Sequence, residues 1–310
     1  MGFNYFMKKA LSILFFVIIN YSFGQINYEE STFQAITFWD LKEKQNYDIT
    51  ISQYRIVKND SILKNKIKYE VEIIVLDSTA KNYEIEWHFK NFTTTSNNKI
   101  KQEIDKIYEG IKIKYKTDEL GVFEKITNLE SVRKQIQKKL DNIKKENKSL
   151  SDLGSDFTKM DFFLKNKNSL ENVFAKDINQ FHYFHGVAFE LNESQSAKME
   201  VPNLLGGKPF DADITFEMTD INTEYEFAVL RMEQIVNSVE LKKAVIEFLK
   251  KTRGYKGDYI LEELKNEIRM ATSMHNTGWP IFSSHVVDIN LGDEQTVEIR
   301  EIELIVNEND

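Results

Sequence analysis

The sequence predicts an α+β protein built on a long, curved antiparallel β-sheet, an open or partial barrel with amphipathic helices packed on one face. Three observations predict it. Several segments alternate apolar and polar residues with a period of two, the signature of half-buried strands. Two segments carry apolar stripes at the helical period instead. These elements run strands, helix, strands, helix, strands, without the regular strand–helix alternation of a doubly wound parallel sheet. The chain of 310 residues, 41% apolar and 12% aromatic, is large enough for a real core. Three prolines and 12 glycines leave little material for flexible linkers.

At the N-terminus, Lys8 and Lys9 precede an apolar run over 10–19, and Ser22 and Gly24 fit cleavage before Gln25. Residues 1–24 are therefore expected to be a signal peptide, the run being too short for a membrane span. The chain has no cysteine, which excludes a lipobox and a disulfide framework. The mature chain, 25–310, is expected as one soluble α+β domain, periplasmic or extracellular and not membrane-spanning, with 144–168 as the place for any sub-division.

The strands follow. In "YEIEWHF", Tyr83, Ile85, Trp87 and Phe89 share one face, while Glu84, Glu86 and His88 share the other. "YEVEIIV" repeats the pattern with Tyr69, Val71, Ile73 and Val75 inward. "YDITISQYRIV" is a third strand whose alternation slips near Gln53, as at a bulge. A short helix is expected over 99–108, then a hairpin, "IKIKYKTDELGVFEKI", turning at 118–121. Thr127 and Glu130 have the spacing of a capping box at a helix start. Leu129, Val132, Ile136, Leu140 and Ile143 then form a stripe that suits packing on a sheet. A loop with a short helix over 144–168 and a helix over 169–176 lead to "FHYFHG". Strands are expected near 196–202, 208–219 and 223–233, then a helix over 238–251 with the stripe Leu241, Ala244, Val245, Phe248. Strands near 264–275, 279–290 and 294–306 end the chain, "NTGW" making the turn between the first two.

Charge and motifs exclude more than they assign. Removing Lys8 and Lys9 moves the formal charge from −8 to −10, an acidic surface that argues against a nucleic-acid partner. Basic residues are mostly lysine, so bidentate anion clamps are few. There is no His-Glu-x-x-His, no EF-hand run, no nucleophile elbow and no glycine-rich phosphate loop. His182 and His185 share a face on a helix but point apart on a strand, and the run into "VAFEL" reads as the approach to a strand. They are expected as structural or pocket-lining rings, not metal ligands. Asp211 and Asp213 are a weak calcium pair, read as a solvated strand face. Ser284, His285 and Asp288 are the one local triad-like set, and neighbouring strand residues point apart. No catalytic residue, metal or cofactor is assigned.

"TDELG", "FHYFHG", "NLLGG" and "TGWP", with the leader and the strand meander, resemble a family of uncharacterised exported proteins of Gram-negative bacteria. The order of elements is similar to the lipoprotein-carrier architecture of the LolA/LolB type. That resemblance implies an incomplete antiparallel barrel closed by helices around an apolar cavity. The abundance of aromatics fits such a cavity as well as a filled core. The expected function is a non-enzymatic binding or carrier role for an apolar or amphipathic, lipid-like ligand. Trp87, Phe89, His182, Tyr183, Phe184 and His185 are the expected lining. An envelope protein-interaction or structural module is the second reading, and a hydrolase without a recognisable motif the third.

Overall fold

A computed structural model describes residues 25–57, 60–146, 154–165, 167–203, 205, 207–253, 264–291 and 295–306. The expected leader, 1–24, lies outside the described residues. The protein is mostly β, with a large antiparallel sheet that does not close into a barrel.

Two short strands, β1 (Ile26–Asn27) and β2 (Thr32–Gln34), begin the described chain. A meander follows: β3 (Lys44–Val57), β4 (Asp60–Thr79), β5 (Asn82–Thr94), β6 (Lys112–Asp118) and β7 (Phe123–Ile126). Helix α1 (Lys99–Asp105) interrupts it. Helices α2 (Leu129–Glu146), α3 (Gly154–Lys165), α4 (Lys167–Phe174) and α5 (Lys176–Phe181) come next. The second meander is β8 (Ala188–Glu190), β9 (Ser194–Val201), β10 (Phe210–Asn222) and β11 (Phe227–Val236). After α6 (Ser238–Arg253) it continues through β12 (Leu264–His275), β13 (Pro280–Leu291) and β14 (Gln295–Leu304).

Eleven strands form one sheet in the order β7-β6-β5-β4-β3-β14-β13-β12-β11-β10-β9, every neighbouring pair antiparallel. The seam between the two meanders is the pairing of β14 with β3, with Ile302 opposite Ile49. The slip near Gln53 is real: the β3–β4 register shifts between Gln53 and Tyr54. A second, three-stranded sheet joins β1, β2 and β8.

Period-two alternation gives the large sheet one apolar face along its whole width. Under α1–α5 that face carries Tyr47, Ile49, Val71, Ile73, Ile85, Trp87, Ile113 and Tyr115, all buried in one cluster that also takes in Val132, Ile136 and Leu140 of α2. Burying each large side chain of this kind contributes about 1.5–3 kcal/mol. On the second meander the same face is packed by the small sheet, around Phe33, Phe184, Met218, Leu230, Met270 and Met274. Leu241 and Val245 of α6 cover the far end against Phe210, Ala212 and Val236.

Two local expectations change. Thr127 and Glu130 form no capping box: the Thr127 hydroxyl donates to the Lys114 carbonyl, and Glu130 accepts from Arg133 Nε at 3.0 Å. Neighbouring Asn128 is tied to β6, accepting from Lys114 N–H at 2.8 Å and donating to Lys112 O at 2.9 Å. The start of α2 is thus stapled to the sheet. Phe248, expected in the α6 stripe, is 40% exposed, so the buried stripe of that helix is narrower.

Candidate functional site

The "FHYFHG" segment is the end of α5 and the turn after it. Its histidines fall on one side after all, with ring centroids 5.0 Å apart. Each Nε2 is occupied: His182 bonds the Tyr115 hydroxyl and His185 the Gly278 carbonyl, both at 2.9 Å. A carbonyl only accepts, so His185 carries its proton on Nε2. Both rings are 3% exposed. Burial, with His185 adjacent, holds His182 well below the ordinary histidine range. Burial brings His185 down to about 4. The two rings are neutral, each held through its Nε2, with both Nδ1 atoms buried and unpartnered among the described residues. Among the described residues no three His, Asp or Glu side chains are grouped to hold a metal.

Aromatic rings complete this joint. Trp39 lies 5.8 Å from each histidine and stacks on Trp279 at 4.1 Å. Phe181 meets Tyr47 and Trp87 edge-on at 5.3 and 5.6 Å. Trp279 Nε1 donates to Glu43 at 2.6 Å. The segment before β3, the end of α5 and the β12–β13 turn are thereby fastened together.

A second, ionic cluster sits where α5 crosses the seam. Its charged members come from the first two residues of α5 and from the apolar-face positions of β14. Tyr69 donates to Asp177 at 2.5 Å, and Arg300 Nε lies 3.2 Å from the same carboxylate. Lys176 contacts Glu298 at 2.8 Å, with Gln53 donating to Glu298 at 3.1 Å and Arg300 Nη2 at 3.5 Å. Gln180 donates to the Ser283 and Arg300 carbonyls at 3.3 and 3.2 Å. Arg300 is 5% exposed, so its charge is tolerated because Asp177 and, at longer range, Glu298 answer it. Burial works to raise the Glu298 pKa, but Lys176 and Arg300 outweigh it and bring it to about 2. Burial, with Arg300 and Lys176 nearby, lowers His285 to about 4. At neutral pH Glu298 is therefore an anion and His285 a neutral imidazole.

Beside this cluster the helix layer opens. A cleft of about 480 Å³ is lined by Phe163 of α3, Asn172 and Val173 of α4, and Lys176 of α5. Its lining is mostly apolar, with one ammonium at the border. The apolar sheet face beyond β13 is rich in methionine: Met199, Met218, Met232, Met270 and Met274 pack there with Phe216 and Ile268. Unbranched thioether side chains adapt to irregular neighbours more readily than branched ones.

Of the six residues expected to line a ligand cavity, Trp87, Phe89, His182, Phe184 and His185 are buried in packed core. Tyr183 keeps part of its exposure and lies 6.2 Å from Phe216 on the second meander. The apolar members are split between the two sides of the seam: Trp87 and Phe89 pack in the first core, Tyr183 and Phe184 in the second. Ser284 and Asp288 lie on the face of β13 opposite to His285, which removes them as a triad. Asp211 and Asp213 lie on the outer face of β10, opposite Glu200 and Lys198 of β9.

Sequence reasoning missed Lys176, Asp177, Glu298, Arg300, Phe163 and Val173. One signal was available: Glu298 and Arg300 share parity with the buried Ile302, so an inward charge pair was written into β14.

The sequence matches no protein-family profile and no curated protein sequence. Three solved structures that align with the chain share little sequence with it. Lipovitellin, studied for its lipid–protein interactions, aligns at 7% identity and a TM-score of 0.41, over 86% of this chain and 25% of that one. The chain thus spans about a quarter of the length of lipovitellin. DynF, from the dynemicin biosynthesis pathway of Micromonospora chersina, aligns at 7% identity and a TM-score of 0.21 over 95% of both chains. A Bacteroides fragilis protein with a YmcC-like fold aligns at 10% identity and a TM-score of 0.24, over 88% of this chain and all of that one. No described helix is long and apolar enough to cross a membrane.

Proposed function

We propose that the chain is a non-enzymatic binding or carrier protein for an apolar or amphipathic, lipid-like ligand. The observation that carries this reading is the apolar cleft of about 480 Å³ between α3, α4 and the start of α5. It is an open depression, so a ligand seated there keeps one side in water. Phe163 and Val173 offer apolar contact to a chain, and Lys176 and Asn172 offer polar contact to a head group. The histidines of "FHYFHG" act here as support, fixing the end of α5 over the sheet.

The test is native mass spectrometry of protein purified from its own host, followed by titration of the stripped protein with a fluorescent fatty acid. A co-purifying lipid and saturable probe binding are expected, and Val173→Trp, which fills the cleft, should abolish the binding. Protein that carries no lipid and binds no probe would overturn the proposal.

A further inference from the structure

The two ends of the eleven-stranded sheet are finished differently. At one end β7 is four residues long, and its Ile126 N–H is taken by the Glu171 carboxylate of α4 at 2.8 Å. At the other end β9 has eight residues and pairs, among the described residues, only with β10. Ser196, Ala197, Lys198 and Glu200 are all exposed there. An open edge of this length offers unpaired backbone donors and acceptors to any extended segment, a hazard that proteins usually manage with an edge lysine.

The residues on β9 narrow the choice of segment. Ala197, Met199 and Val201 face the apolar side, with Val201 buried against Phe210 and Leu241. Lys198 and Glu200 face the outer side. The run "AKMEV" is self-complementary when inverted about Met199: in an antiparallel pairing, Ala197 falls opposite Val201 and Lys198 opposite Glu200, each twice. Within its own sheet Glu200 stands opposite Asp211, a like charge, while Lys198 stands opposite Asp213. A lysine arriving on the open side of Glu200 therefore relieves a repulsion already present. An edge lysine rejects most strands, but not one that presents glutamate to it.

We propose that the β9 edge is an interface for a second copy of this chain, joined by antiparallel pairing of Ala197–Val201 about a two-fold axis at Met199. Two Lys198–Glu200 pairs lie on the outer face of the joint. Ala197, Met199 and Val201 of the two copies form one apolar strip on the inner face.

The test is charge exchange, read by sedimentation or light scattering with circular dichroism to verify the fold. Wild-type protein is expected to dimerise. Lys198→Glu and Glu200→Lys each turn two attractive pairs repulsive and should weaken the dimer by about ten- to a hundredfold. The double variant Lys198→Glu/Glu200→Lys should dimerise again. An equimolar mixture of the two single variants should form a heterodimer that neither forms alone. A wild-type protein that stays monomeric at its highest soluble concentration overturns the proposal. So does a dimer indifferent to both exchanges, or a mixture that fails to pair.

Discussion

Gly278 supplies the carbonyl that holds His185, and its own position can be tested sharply. It has φ +84°, and a Cβ added there would fall well inside contact with the Ile36 carbonyl oxygen and 3.0 Å from Thr37 Cα. Since carbon and oxygen approach to about 3.3 Å at closest, the β12–β13 turn and the 36–37 backbone must part by roughly 1 Å. Gly110 is the control, because its φ is +73° but nothing lies within 4 Å of an added Cβ. Both alanine variants pay about 1–2 kcal/mol for the left-handed backbone, offset by about 0.4–1 kcal/mol of lost freedom in the unfolded chain. Gly278→Ala alone adds overpacking, about 1–3 kcal/mol. The two variants should differ by about 2 kcal/mol. With a urea slope of about 3 kcal/mol per molar, the midpoint of Gly278→Ala should lie about 0.7 M below that of Gly110→Ala. Equal midpoints would refute the claim that the turn is clamped against the segment before β3.

Two further outcomes follow from the buried charges. Asp177→Asn takes from Arg300 the nearer of its two carboxylates, leaving Glu298 at 3.5 Å, and should cost about 1–3 kcal/mol in urea unfolding, while Asp177→Leu/Arg300→Met should recover much of the loss. His185 and His285 have folded pKa values of about 4, below the ordinary 6.5. The unfolded chain takes up their protons first as pH falls, so stability is full above about pH 6.5 and declines towards pH 4. Each contributes at most about 2–3 kcal/mol between pH 7 and 4.5. His185→Gln should flatten that part of the pH profile, and an unchanged slope would count against a neutral buried ring.

The sheet was legible because its strands alternate cleanly. Tyr69, Val71, Ile73 and Val75 announced β4, and Tyr83, Ile85, Trp87 and Phe89 announced β5, with the inward set all buried. The bulge at Gln53 and the "NTGW" turn were visible for the same reason, a break in a strong period. "FHYFHG" was harder, since five aromatic or imidazole rings in six residues carry neither period. Its conformation is set by distant partners, Tyr115 and Gly278, which local sequence does not reveal. The cleft was illegible for a related cause. Phe163, Val173 and Lys176 come from three short helices whose mutual placement is a tertiary matter.

The position of β14 bears on how the chain assembles. Gln53 and Glu298, joined across the seam, are 245 residues apart in sequence. Until β14 pairs with β3, the large sheet consists of a five-stranded half, β3–β7, and a six-stranded half, β9–β14, with long bare margins at β3 and β14. Such distant pairing makes folding slow, and bare margins invite wrong partners in the meantime. The inward charges of β14 give that strand a private address. Glu298 and Arg300 find their matches at Lys176 and Asp177, and a foreign strand in the gap would leave Asp177 buried and unanswered. The pairing that completes the sheet thus also checks that the right strands have met.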